Sequence, residues 1–236
     1  MPAFLEDISE FYGTVERNKA GQTLEEFLKA YDPNKYQNPS VTVDTIVIRH
    51  PKQVETVEQG LQLLLIRRGN HPSIGKWALP GGFVNLREDT MDAAKRELEE
   101  ETGLSGLPVE QLRAWGEYRR DPRTRIVTVA YLALIEDSMK AKAGDDASDA
   151  AFFDVDFHIQ SRTREDDRQT TVYELKLTRT DADLTLYAEV EVKENIHSLL
   201  KEPIYRVIRE DGLACDHPAI ITQALLHLAQ RIEEQK

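Results

Sequence analysis

Three observations in the sequence predict an α/β fold. Two runs read as strands: Val41–Ile48, rich in β-branched residues, and Leu61–Ile66, continuously apolar. A helical segment at 89–102, with Gly103 as its C-cap, stands between these and further strand candidates. A strongly amphipathic segment lies at about 218–233, with Ile220, Ile221, Ala224, Leu225, Leu228 and Ile232 along one stripe.

Taken in order, residues 4–16 place Phe4, Ile8, Phe11 and Val15 at helical spacing, which predicts a short amphipathic helix weakened by Gly13. Thr23 and Glu26 form the spacing of a capping box, so a second helix begins there. Leu24, Phe27, Leu28 and Tyr31 give its apolar face, and Asp32-Pro33 stops it. A polar insertion, Pro51 to Glu58, separates the first two strands. Trp77 to Val84 reads as a short strand broken by a tight turn at Leu79-Pro80-Gly81-Gly82. Met91, Ala94 and Leu98 are the apolar positions of the helix at 89–102. Strands are then expected at 112–118, 126–135 and 150–157. Thr170–Leu177 and Leu184–Val192 alternate on either side of a turn signal at Thr180–Asp183, which predicts a β-hairpin. Its apolar stripe runs Leu184, Leu186, Ala188, Val190, Val192. Asp216 is the expected N-cap of the last helix.

The chain has 236 residues, with 30 Lys plus Arg against 42 Asp plus Glu, a formal net charge of −12. Such acidity argues against a generic nucleic-acid surface, which needs a basic face, but not against small phosphorylated ligands. A bound divalent cation reverses the field locally. A lone cysteine, Cys215, excludes an intrachain disulfide and a cysteine zinc cluster. Stretches of about 18 apolar residues are absent, so no membrane span is predicted. The first residues carry Glu6, Asp7 and Glu10, unlike a signal peptide. The expectation is a cytoplasmic protein.

Chemistry concentrates at 82–104. Glu97, Glu99, Glu100 and Glu101 crowd the last turns of a helix, where the helix dipole disfavours negative charge. Glu97 and Glu101 are also a like-charge i, i+4 pair. Local stability gives no reason for this arrangement, whereas a hard divalent cation does. Spacings of three and four put Glu97, Glu100 and Glu101 on one face, with oxygens able to converge on Mg²⁺. Glycines at 81 and 82 would let backbone approach the same ion.

The segment resembles the Nudix box, Gly-x5-Glu-x7-Arg-Glu-(apolar)-x-Glu-Glu-x-Gly-(apolar). It is matched at Gly82, Glu88, Arg96, Glu97, Leu98, Glu100, Glu101, Gly103 and Leu104. Arg67-Arg68 with Trp77 to Gly82, Asp121-Pro122-Arg123, Tyr31-Asp32-Pro33, and Asp216-His217 with Ile220-Ile221 resemble ADP-ribose pyrophosphatases and the Nudix-related regulators of NAD metabolism. Together these cover roughly 24–157 and 211–233.

The resemblance implies an α/β/α sandwich around a mixed sheet. It implies Mg²⁺ or Mn²⁺ on Glu97, Glu100 and Glu101, helped by the Gly82 carbonyl, with Arg96 orienting a carboxylate and Glu88 fixing the loop. The implied activity is hydrolysis of ADP-ribose to AMP and ribose 5-phosphate. The alternatives are another nucleotide, such as an oxidised nucleoside triphosphate or a sugar nucleotide, or a ligand-sensing transcription regulator.

Substrate contacts are expected from Arg67, Arg68, Arg123, Trp77 and Gly81, each weighed against a plain surface or core role; Trp77 in particular reads more readily as core. Arg119 and Arg120 carry the same phosphate reading, and Tyr118 is a candidate for stacking. His217 at a helix start reads more readily as structural than catalytic. A general base is not evident in the strand at 126–135; Glu136, Asp137, Asp145, Asp146 and Asp149 follow it. The expected organisation is an N-terminal helical extension at 1–36, a core at 37–157, a β-rich insertion at 158–210, and a C-terminal helix at 211–236 completing the core. The stripe from Leu184 to Val192 needs a cover, so the insertion is expected to cap the site or build a homodimer interface.

Overall fold

The computed structural model describes residues 4–136, 150–200 and 202–236, and it divides into two units, Met1–Pro39 and Ser40–Lys236. In the first, the capping box forms as its sequence predicts. The Glu26 amide donates to Thr23 Oγ1 at 3.3 Å, and the Thr23 amide donates to the Glu26 carboxylate at 2.9 Å. Helix α1 (Leu24–Ala30) follows from that cap. The helix expected at 4–16 does not form; only a single 3₁₀ turn, Ser9–Phe11, appears there, and none of its residues is buried. Helical spacing without a surface to bury is too weak to hold a short helix.

The second unit is organised by one mixed sheet. Its strands are β1 (Ser40–His50), β2 (Gln62–Arg67), β3 (Trp77–Ala78), β4 (Gly81–Phe83), β5 (Glu110–Trp115), β6 (Ile126–Glu136), β7 (Ala150–Glu165), β8 (Arg168–Arg179), β9 (Leu184–Asn195) and β10 (Ile204–Asp211). The order is β10-β9-β8-β7-β2-β1-β6-β5, with β3 on β2 and β4 on β1. β1 and β6 are parallel, and the other pairs are antiparallel.

Alternation along β1 sets the two layers. Val43 and Val47 face helix α2 (Thr90–Thr102), whose Ala93, Ala94 and Leu98 are buried. Ile46 and Ile48 face the other way, into the larger core that helix α3 (His217–Glu234) completes. A helix on each face of a mixed sheet is the sandwich the sequence resemblance implied. Fully burying each Ile or Leu of the α3 stripe contributes about 1.5–3 kcal/mol. None of the described helices is long and apolar enough to cross a membrane.

β7 passes through residue 157 without a break and pairs with β8 from Asp154 to Glu165. The polar stretch at 161–168 is therefore the end of this hairpin, and a boundary at 157 falls inside a strand. β9 then adds to β8, and β10 to β9. The β9 stripe has its cover within the chain. Leu186, Ala188, Val190 and Val192 are buried, and they share cores with Ala219, Ile220 and Leu225 of α3. The stripe that motivated the expected cap or dimer interface is thus already occupied by α3. The sheet also curls: Trp115 of β5 and Tyr205 of β10, on opposite edges, lie 5.5 Å apart between ring centroids.

Candidate active site

The last turn of α2 packs against the β3–β4 turn, and here the two glycines are steric requirements. A Cβ on Gly81 would stand 2.0 Å from the Val43 carbonyl oxygen, and one on Gly82 would stand 2.4 Å from the Glu97 carboxylate. Gly103 ends the helix in the left-handed conformation, φ 70°, with its amide donating to the Glu99 carbonyl at 2.9 Å.

Arg96 ties the acids together. Its guanidinium donates to both Glu88 oxygens at 2.7 and 2.9 Å, to Glu97 Oε1 at 2.7 Å, to Glu100 Oε2 at 3.1 Å and to the Phe83 carbonyl at 3.1 Å. The Arg96 hydrogen bonds, with the Asn85 amide, hold the Glu88 carboxyl down to about 2. The Glu101 carboxylate accepts from the Gly81 amide at 2.8 Å. Burial pushes its pKa up to about 7; the Gly81 bond opposes that rise, and the charges of Glu97 and Asp44 add to it.

Across from these acids, a second set of side chains gathers from distant segments. Arg120 is half-buried, its side chain largely enclosed, and it donates to both oxygens of Asp216, at 2.9 and 3.0 Å, with Asp44 Oδ2 at 3.8 Å. Asp44 Oδ2 also accepts from Thr128 Oγ1 at 2.6 Å. Burial works against the Arg120 charge, but the hydrogen bonds and charge of Asp216, then Asp44 and Asp121, more than offset it. His217 is buried, and its Nδ1 accepts from the Leu79 amide at 2.9 Å. A loop leads from β10 to these groups along Trp77, whose amide donates to Gly212 and whose carbonyl accepts from Ala214, both at 2.8 Å.

Glu101 of the first set and Asp44, Arg120 and His217 of the second face one cavity of about 240 Å³, lined also by Thr42, Arg68, Gly81, Gly82 and Arg123 among others. Of the substrate residues expected from sequence, Arg68, Arg123 and Gly81 line it. Arg67 is exposed and Trp77 is buried against Phe153, with ring centroids 4.8 Å apart; neither borders the cavity. Tyr118 is exposed beside Arg119. Glu136 ends β6 away from the cavity. Asp137, Asp145, Asp146 and Asp149 lie outside the described residues. Asp216 caps no amide with its side chain, because Arg120 holds its carboxylate.

The sequence reading passed over Asp44, although an acid inside an otherwise apolar strand is a usable signal. It also gave Asp216 a capping role and set His217 down as structural.

The donor set suits a hard divalent cation: carboxylates crowded against a glycine backbone, one of them half-buried and raised first by desolvation and then by its neighbours' charge. Glu97 and Glu100 turn toward Arg96, and among the described residues no three such groups stand as a ready cage. The fit is therefore one of chemistry and proximity.

Fold, box and cavity together define a Nudix protein. The NUDIX domain family matches residues 42–174, and the chain belongs to that family. It is 45% identical over 112 residues to the ADPR responsive transcriptional repressor NtrR of Acinetobacter baylyi, over 46% of this chain and 42% of the repressor. The chain thus spans less than half of that relative. It is 37% identical over 131 residues to an ADP-ribose pyrophosphatase of Methanocaldococcus jannaschii, over 54% of this chain and 71% of the enzyme. Among solved structures, a MutT/nudix family protein of Enterococcus faecalis superposes with TM-score 0.59 at 33% identity, covering 89% of this chain and 70% of that one. The NUDIX domain of Shewanella oneidensis NrtR, complexed with ADP ribose, superposes with TM-score 0.54 at 26% identity, covering 88% of this chain and 99% of that one.

Proposed function

We propose that the chain hydrolyses the diphosphate of ADP-ribose to AMP and ribose 5-phosphate, using Mg²⁺ or Mn²⁺ held by Glu97, Glu100, Glu101 and the Gly82 carbonyl. One observation carries this reading: the box residues Glu101 and Gly82 and three arginines, Arg68, Arg120 and Arg123, border the same cavity. A divalent cation, when bound, neutralises diphosphate charge and makes water a better nucleophile. The chain's own part is to place charge. Arg96 orients Glu97 and Glu88, the Gly81 amide orients Glu101, and the arginines attract the anionic end of the ligand.

A panel of ADP-ribose, an oxidised nucleoside triphosphate and a sugar nucleotide, each with Mg²⁺, tests the substrate. Rapid AMP release from ADP-ribose is expected. Absence of ADP-ribose cleavage beside rapid triphosphate hydrolysis would sink the proposal.

The 45%-identical repressor supports a second reading, a domain that binds ADP-ribose as a signal without turning it over. The intact box favours hydrolysis. Binding of ADP-ribose without AMP release, together with tight DNA binding at physiological salt, would favour the sensor.

A further inference from the structure

We propose that His217 is a ligand-binding residue, donating its Nε2–H to an anionic phosphoryl oxygen in the cavity. The inference rests on the diphosphate reading above and adds to it a residue outside the box.

Three observations carry it. First, the ring's hydrogen-bonding state is set by the backbone. The Leu79 amide donates to Nδ1, so that nitrogen presents its lone pair and the ring proton sits on Nε2. Second, the side chain is held but half-used. His217 is 6% exposed and lines the cavity, yet Nε2 has no hydrogen-bond partner among the described residues. An N–H that faces the cavity without a protein acceptor is free to donate to a ligand oxygen. Third, cationic side chains share the cavity with the acids Asp44, Glu101 and Asp121. Asp216, the preceding residue, is occupied by Arg120, and Arg68, Arg120 and Arg123 line the same cavity.

One turn couples this donor to the box. Leu79 and Gly81 are two residues apart; the Leu79 amide positions His217, and the Gly81 amide positions Glu101. The turn that brings the glycine backbone against the acids thus also aims an N–H into the cavity. A hydrogen-bond donor fixed in this way needs no reorganisation when the ligand arrives.

The test uses the full chain with Mg²⁺ and two probes that resist cleavage, the methylene-bridged analogue of ADP-ribose and methylenediphosphonate. In nitrogen-15 NMR of the native chain, the His217 ring should show a proton on Nε2 and not on Nδ1, and either probe should shift the Nε2–H resonance. Titration calorimetry of His217→Asn should show both probes bound about 10- to 100-fold more weakly. An Nε2–H signal unmoved by both probes would overturn the inference, and because it is read on the native chain it does not depend on a variant folding. So would a folded His217→Asn that keeps native affinity for methylenediphosphonate while losing the nucleotide analogue, which would move the contact to a sugar hydroxyl. Native cleavage of ADP-ribose with unchanged affinities in His217→Asn would leave the functional reading standing and remove this residue. His217-dependent binding of methylenediphosphonate in a chain that does not cleave ADP-ribose would do the reverse.

Discussion

On one side, Glu101 lines the cavity, with Glu97 and Glu100 beside it on the same stretch of α2, backed by Arg96 of that helix. On the other, Asp44, Arg120, Asp216 and His217 come from β1, the β5–β6 connection and the approach to α3; Leu79 and His217 are 138 residues apart in the chain. The first group is polar, crowded and partly solvated, with Glu100 59% exposed. The second is more enclosed and internally paired, with the Arg120 side chain 8% exposed. A helix can carry mutually repelling acids when its other face supplies the stability, as Ala93, Ala94 and Leu98 do here. A wall gathered from distant segments holds its charges only by pairing them. Loss of a charge should therefore be felt mainly as activity on the first wall and as stability among the paired charges of the second.

The largest expected effect is on the box side. Glu101→Gln keeps an oxygen for the Gly81 amide and removes a half-buried, poorly solvated charge, so the metal-free protein should unfold at the same temperature or higher. Its turnover of ADP-ribose should fall about 1,000-fold, corresponding to about 4 kcal/mol. Steady-state kinetics beside thermal melts separate the two effects, and a large loss of stability would break the contrast.

On the far wall, Arg120→Leu leaves Asp216 and Asp44 without their cation and should cost about 3 kcal/mol in chemical denaturation. A cost below about 0.5 kcal/mol, the range of an exposed substitution, would mean that the wall is not held by charge pairing.

Val190→Ala probes the sheet that carries that wall. Val190 is fully buried with Ala219 of α3, so about 2 kcal/mol should be lost with the mass measured by light scattering unchanged. A change of oligomeric state at unchanged stability would restore the idea that this stripe meets a second copy.

Thr23→Ala should be the mildest, about 1 kcal/mol drawn from α1 alone, read as lost helicity with native kinetics.

The same contrast explains what the sequence made legible. The acids of α2 stood out because helix electrostatics is local: a like-charge pair four residues apart at a helix end is visible without any fold. Strands β1, β2 and β6 and helix α3 were legible because burial imposes a period on them. Strand β10 was passed over because Ile204, Arg206 and Ile208 remain exposed and only pairing with β9 makes it a strand. The outer half of β7 lost its alternation for the same reason, both of its faces being exposed from His158 to Glu165. Phe4, Phe11 and Val15 misled in the opposite direction, showing helical spacing on residues that remain exposed. Asp216 looked like a cap because capping is local chemistry, while its partner Arg120 lies 96 residues away.

The central claim is that the crowded acids of α2 serve a divalent cation in diphosphate hydrolysis. Phosphorus-31 NMR of ADP-ribose incubated with the native chain tests it most directly, run with Mg²⁺, with a chelator, and with Mg²⁺ and Glu101→Gln. The expected result is conversion to AMP and ribose 5-phosphate in the first sample and an intact diphosphate signal in the other two. Equal conversion in all three would contradict the account.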